Sequence, residues 1–572
     1  MRRRSVASRA GIGPDGAPRS ERGFALVAVM TTTSVLMLLA IAVVGYGVGS
    51  QNISRHDQNW NAALAAAEAG IDEYVFRLNE NANYWQYNAA NPPPDDNTAF
   101  TDWTPVPGGN TPALFRYDVD ASTIATDGRV RLSATGRVGD AERNVYATLR
   151  RRSFLDYLYF TDFETLDPAS YTGSPFTAAQ AQTRCSKHYL GGVNLQRDVD
   201  DRYDYTGDSD SSGAYCIEIN FVSADAINGP LHTNDSFLVC GSPHFNGETS
   251  SSQTAGNGQP YRTNSGCSPN SPVFANAGDP RTLPPLTMPP SNSALKAETN
   301  AGVGGCLYTG PTRIKLNSNG TMTVKSPFSK QTNNAPCPTD GTGALPSNGV
   351  IFVQNVPSSS SDANYTSGCP YYVSGRNHPL GLPRSSDLNS YGCRDGDVFL
   401  EGTLDGQLTI AADNNIDVTW HVTYAGGLGG DDLLGLIANN HVEIYHPVSC
   451  TSGGTSSSCN LNANFPTEPN RNAKFTNATV QAAILSVNHS FAVQQYGAGA
   501  PLGTLNVDGA IAQRYRGPVG TTSSGSIRSG YAKDYVYDQR LKYLSPPKFL
   551  DPVASQWGIA TWAENEVPTA YR

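Results

Sequence analysis

Three short triplets are the first places in this 572-residue chain where catalysis is conceivable: Thr233-Asn234-Asp235, Arg313-Ile314-Lys315 and Gly430-Asp431-Asp432. Inverting cleavage of a glycosidic bond needs two carboxyl groups flanking the bond, one as acid and one as base for water, roughly 6.5–9.5 Å apart. Asp235 would have to meet Asp431 or Asp432 on neighbouring turns of the fold, across a long intervening stretch of chain. A second acidic group, Asp204, Asp208 and Asp210 within Arg197 to Gly213, offers the oxygens a hard cation such as calcium takes. It lacks the EF-hand spacing and closing glutamate, and a solvated loop accounts for it. His421, His441 and His446 fall in adjacent apolar runs. On a strand, positions 441 and 446 face opposite sides, so these read as hydrogen-bonded structural histidines and not as joint ligands. No G-x-S-x-G, phosphate-binding G-x-x-x-x-G-K-[ST] or H-E-x-x-H occurs. No catalytic residue, metal or cofactor is predicted.

The ten cysteines are Cys185, Cys216, Cys240, Cys267, Cys306, Cys337, Cys369, Cys393, Cys450 and Cys459. None forms C-x-x-C, which sets aside a zinc ribbon or a thioredoxin-type centre. An even number confined to the later part of the chain points to disulfides in an oxidising compartment. Nearest-neighbour pairing, 185 with 216, 240 with 267, 306 with 337, 369 with 393 and 450 with 459, would close a polar loop each time.

The elements that must position these residues are mostly short strands. Charged residues are only 16% of the chain, while Gly (56) and Pro (38) are abundant, a usage suited to strands joined by turns. A net charge of -10, with no Lys/Arg cluster beyond the N-terminal leader and a short Arg150, Arg151, Arg152 run, argues against nucleic acid as a partner. Apolar runs recur at Gly349–Val356, Gly396–Gly402, Gln407–Ala412, Ile416–Tyr424, Leu433–Ala438, Val480–Val487 and Gly503–Gln513, and from 396 to 446 they follow one another with turns too short for crossover helices. A parallel β-helix solves that pattern by pairing each strand with one a full turn away. An antiparallel sandwich has the same periodicity and is the alternative. The three triplets are similar to three of the four signatures of polygalacturonase-like enzymes of the β-helix fold. Their order differs, however, and Gly-His-Gly is absent, so no enzyme is predicted.

Before the strands lies a different kind of segment. From Phe24 to Gly49 no residue is charged, enough for a helix to span a bilayer. Arg2, Arg3, Arg4, Arg9, Arg19 and Arg22 precede it, which by the positive-inside rule leaves the leader in the cytoplasm and the bulk outside the inner membrane. The helical pattern then continues. Ile53, Trp60, Leu64, Ala67, Ile71, Val75 and Leu78 form one stripe, giving a single helix of about 55 residues, on the order of 80 Å long. Gly45 and Gly49 make a G-x-x-x-G that either lets two helices approach or loosens this one. Asn91 to Asn97, with three prolines, ends any helix. Strands are expected at Ala113–Ala121, Arg129–Val138 and Arg143–Arg151, as an antiparallel meander.

Arg22-Gly23-Phe24 ahead of an uncharged helix, followed by Ala62 to Glu73 with its Ala65–Gly70 "AAAEAG" element, resembles the N-terminal segment of type IV pilin-like proteins, most closely PilX-type minor pilins. The resemblance covers about residues 20 to 80. It implies cleavage by a prepilin peptidase between Gly23 and Phe24, methylation of Phe24, and packing among other pilin-like subunits and the pilus assembly machinery through the helix, with Leu64 and Ile71 on the packing stripe. Major pilins carry a glutamate as fifth mature residue; here that position is Ala28. A subunit with nothing above it needs no such pair, so a minor or tip position in a type IV pilus or pseudopilus is expected, with the outer domain free to adhere, for example to surface glycans. The other reading is a membrane-anchored β-helix adhesin or carbohydrate-active enzyme that never polymerises.

The resulting expectation is a mainly β protein with one long N-terminal α-helix: a pilin-like helix plus small antiparallel sheet, then a right-handed parallel β-helix-like domain. By residue number it divides into a leader (1–23), the helix (24–80), a small β region (81–155), a polar connector (156–225), the β-helix-like domain (226–530) and a C-terminal cap or tail (531–572).

Overall fold

The computed structural model describes residues 22–565, apart from 82, 96, 109–112, 123, 125–127, 172–175, 186–215, 254–259, 265, 372–379, 381–390, 451–458, 462–474, 524–525 and 554–555. The chain is mainly β with one long helix at its start, as expected, and it forms two compact units. One comprises residues 1–150 with 557–572, the other 151–556.

In the first unit a single helix runs from Arg22 to Glu80. Its Ala25–Gly47 segment, mean hydropathy 2.4, is exposed throughout and is long and apolar enough to cross a membrane. Further along, one face turns inward. Ala63, Ala66, Ala67, Ile71, Tyr74 and Leu78 are buried against an antiparallel meander of Leu114–Asp120, Arg129–Val138 and Ala141–Arg151. The buried stripe is rotated slightly from the expected one: Ile53 and Trp60 are exposed, while Leu64 and Val75 lie at its flank. The reason is close approach. A Cβ on Gly136 would sit 2.0 Å from the carbonyl oxygen of Ala63, and one on Gly70 would meet the Phe115 ring at 2.9 Å. Helix and sheet backbones therefore touch where both are small, and the face carrying Ala63, Ala66, Ala67 and Gly70 wins over the face with larger residues. The "AAAEAG" element is thus explained locally by packing.

The same interface holds a polar knot. The Tyr117 hydroxyl donates to Glu73 at 2.8 Å, Arg77 Nε donates to the same carboxylate at 2.8 Å, and Asn97 Nδ2 donates to the Tyr84 hydroxyl at 2.8 Å. Trp557–Asn565 returns as the strand next to Ala141–Arg151. The tail read as a cap for the β-helix-like domain therefore ends in the small sheet. Its earlier part, Ser526–Tyr537, is an internal strand of the second unit.

In the second unit two main ladders stack in parallel, with antiparallel hairpins such as Thr312–Asn317 with Thr321–Lys325 beside them. One ladder runs Cys306–Thr309, Val350–Gln354, Gln407–Ala412, Leu433–Ala438, Thr479–Ser486, Pro501–Arg516. A second runs Thr312–Asn317, Val398–Leu404, Ile416–Tyr424, Val442–Ile444, Phe491–Val493. Strands alternate between the ladders, so each pairs with one a turn away, and the sandwich alternative does not describe this pairing. Register stacks like on like: Ile351, Ile410, Leu436, Ile484, Ile511 and Tyr159 are successive partners, all buried. Such a column removes apolar surface from water at about 25 cal/mol per Å².

Spatial order departs from chain order. Tyr159–Leu166, buried at every residue, pairs on one side with Pro501–Arg516 and on the other with Leu231–Thr233. Beyond it come Thr249–Ser251 and Arg281–Thr282. The span read as a polar connector (156–225) thus contains a central strand. From there a proline-rich strap crosses the rungs: Leu286 exchanges hydrogen bonds with Asn234, Asn292 donates to Ala412 and Ile437 carbonyls at 2.7 and 2.9 Å, and Glu298 accepts from Asn348 at 2.8 Å. Disulfides join Cys185–Cys216, Cys240–Cys267, Cys306–Cys337 and Cys369–Cys393, matching the nearest-neighbour reading. Cys450 and Cys459 are direct partners across an antiparallel pair, with side chains outside the described residues.

Candidate functional site

A cavity of about 780 Å³ opens in the second unit where the first strand, the strap and the late turns meet. Asp162 and Phe163 reach it from Tyr159–Leu166, Leu286 and Met288 from the strap, Asn440, Asn488 and His489 from turns, and Arg514 and Tyr515 from Pro501–Arg516. Its polar wall is organised. Asn234 Nδ2 donates to Asp162 Oδ1 at 2.8 Å. The guanidinium of Arg514 stands 3.5 Å from Asp162 Oδ2, while its Nε donates to the Val487 carbonyl at 2.9 Å. Phe163 and Tyr515 stack with centroids 5.6 Å apart. An aromatic surface beside a fixed cation and amides suits a polar ligand with one apolar face.

Behind His489 lies a tighter cluster. Asp167 follows the first strand and caps the turn Pro168–Ser170, accepting from the Ala169 amide at 2.8 Å. It also accepts from the Ser490 hydroxyl at 2.7 Å and faces His489 Nδ1 at 2.9 Å. The His441 and His489 rings stack at 4.5 Å, because the strands that follow them pair Val442 with Phe491. His441 Nδ1 stands 3.9 Å from the same carboxylate and accepts from the Ser490 amide at 3.4 Å. Burial alone would raise the Asp167 carboxyl, yet the two imidazoles and Ser490 outweigh it and hold it below its ordinary value.

The residues singled out in the sequence scatter. Of the three triplets only Asn234 reaches the cavity. Asp235 accepts from the Glu164 amide at 3.0 Å, Arg313 pairs with Glu401 at 2.6 Å, and Asp432 accepts from the Gly406 and Gly426 amides at 2.6 and 2.8 Å. These are structural bonds, and they leave the carboxylates on separate turns. A carboxylate pair from neighbouring rungs does occur, Asp417 beside Glu443, but both are buried and Gln494 donates to Glu443 at 2.8 Å. Asp204, Asp208 and Asp210 lie outside the described residues. His421 Nδ1 accepts from the Thr479 amide at 3.2 Å. His446 Nδ1 bonds the Gln494 carbonyl at 3.0 Å, and burial lowers its basicity. Gly45 has open space around it; Gly23, Phe24 and Gly49 lie in the helix with side-chain surroundings outside the description. Leu64 and Ile71 pack on the unit's own sheet. Sequence reasoning missed Asp162, Asp167, His489 and Arg514. A signal existed: Asn440-His441 and Asn488-His489 each stand just ahead of a short apolar run.

No family model matches this chain, and no curated protein matches it. Among solved structures, the competence-associated pilin ComZ from Thermus thermophilus is similar at 14% identity and a TM-score of 0.22, the match covering 89% of this chain and 98% of that chain.

Proposed function

We propose that this protein is a pilin-like component of the cell envelope, a minor or tip subunit of a type IV pilus or pseudopilus. One observation carries the reading: a single helix runs from a fully exposed apolar segment, Ala25–Gly47, into a half whose small-residue face is buried under an antiparallel sheet. The apolar half needs lipid or other helices around it, because so long an apolar surface is costly in water. Before assembly it sits in the inner membrane as a single span with the β units outside, and on assembly it exchanges lipid for neighbouring helices. Prepilin peptidase cleaves between Gly23 and Phe24, and Ala28 leaves the subunit without the usual buried glutamate. The parallel stack of the second unit is a β-helix that carries the cavity outward, where it adheres to a surface or glycan.

Intact mass of the protein from its host envelope, with and without prepilin peptidase, tests this. A peptidase-dependent start at Phe24 supports it; an unchanged leader in both strains removes it. The cavity favours a second reading, an anchored adhesin or carbohydrate-active protein that does not polymerise. That reading predicts an intact leader together with glycan binding lost on Arg514→Ala.

A further inference from the structure

We infer that Asp167, His441 and His489 form a binding site for a divalent transition ion of the zinc class. The three offer one ligand atom each, all within 4.8 Å of one another. Zinc bonds to imidazole nitrogen and carboxylate oxygen are about 2.0–2.2 Å, so donors around one ion stand roughly 3–3.5 Å apart. His489 Nδ1 is 2.9 Å from Asp167 Oδ1 and His441 Nδ1 is 3.9 Å from Oδ2. Small ring rotations bring all three to one point. His441 already presents an unprotonated Nδ1, since it accepts from the Ser490 amide. His489 Nδ1 carries the proton that its carboxylate accepts. On ion uptake Nδ1 exchanges that proton for the ion and the neutral ring carries its single proton on Nε2, so one ion binds with no net release of a proton from His489.

Supporting contacts hold the acid in place, with Ser490 Oγ and the Ala169 amide both donating to Asp167. Such outer hydrogen bonds fix a ligand's orientation and tune its affinity. Two imidazoles and one carboxylate select a borderline ion over calcium or magnesium, which prefer all-oxygen sites. The placement also gives the ion a task. Asp167 follows the first strand of the stack, whereas His441 and His489 belong to late turns, so the ion ties the seam where the chain's early and late strands meet.

The test uses the full chain in detergent micelles, stripped with chelator and titrated with cobalt(II) and then zinc. The expected result is one equivalent bound with a visible cobalt d–d band and a raised unfolding midpoint, because only the folded state assembles the donors. His441→Ala and His489→Ala each weaken binding by at least about tenfold, while His244→Ala, at an exposed position outside the three-residue cluster, does not. X-ray absorption on the wild-type zinc protein keeps the inference decidable if a variant fails to fold: a shell with two imidazoles supports it. No uptake by the wild type, a shell without imidazole, or full binding by the folded His441→Ala/His489→Ala double variant overturns it.

Discussion

Arg516 carries its charge where no water reaches it: its side chain is 1% exposed and that of its partner Glu164 is 0% exposed, 3.0 Å away. It also donates to the Ile219 carbonyl at 2.8 Å and lies over the Phe221 ring. Breaking a buried pair by removing one partner strands the other charge and costs about 3–5 kcal/mol. Arg516→Met is therefore expected to lower stability by that order, and Arg516→Met/Glu164→Leu by clearly less, as measured by denaturant unfolding. His232 is a second buried group with a readable consequence. Burial, helped by the nearby Arg152 charge, lowers its pKa from 6.5 to about 3, and its ring stacks on Tyr157. The unfolded state then binds a proton that the folded state refuses. Stability is full above 6.5 and declines as pH falls towards 3, by up to about 1.4 kcal/mol per pH unit. Between pH 6.5 and 5, ahead of most carboxylate protonation, His232→Gln is expected to flatten that decline. An unchanged slope in the variant would show that another group controls it.

The helix and its meander are an element built around the absence of side chains. Gly136 accepts the Ala63 turn so closely that any Cβ collides with backbone, which cannot swing aside. Gly136→Ala is expected to destabilise the first unit by about 1–3 kcal/mol, the range for overpacking a close contact, and Gly136→Val by more. Thermal unfolding followed by the near-ultraviolet signal of the Tyr74, Tyr84, Phe100 and Tyr117 cluster reads this out. Deleting Trp557–Asn565 would expose the Ala141–Arg151 edge, and unpaired strand edges promote association. In detergent micelles that shield the apolar helix, concentration-dependent aggregation of that truncation, absent in the full chain, is the expected outcome in light scattering.

At the scale of the molecule, the second unit is closed by a strand from early in the chain. Tyr159–Leu166 inserts between late and early rungs, so folding of the stack waits for contacts far apart in sequence. Phe160→Ala, at a fully buried position of that strand, is expected to cost about 3–5 kcal/mol. Hydrogen exchange should show Val350–Gln354 and Pro501–Arg516 losing protection together, and a loss confined to the mutated strand would contradict cooperative closure. How much of this was legible follows from what each signal reports. The uncharged run to Gly49, the antiparallel meander and the recurrent strands were plain in the sequence, because local hydrophobic period and turn residues set them. The four described disulfides coincide with nearest-neighbour pairing, although sequence alone leaves the connectivity of ten cysteines open. The exact helix face was not legible, because it depends on how closely the Gly136 backbone approaches. The connector of 156–225 hid a strand, because its residues are buried on both sides only once Pro501–Arg516 and Leu231–Thr233 flank them. Asp167, His441 and His489 lie far apart in the chain, and no local pattern unites them. Sequence by itself determined the long helix, the meander and the recurrent strands of the later chain; only tertiary structure decided the strand at Tyr159–Leu166, the spatial order of the rungs and which carboxylate meets which imidazole, since parallel pairing joins residues by register across the stack and not by distance along the chain.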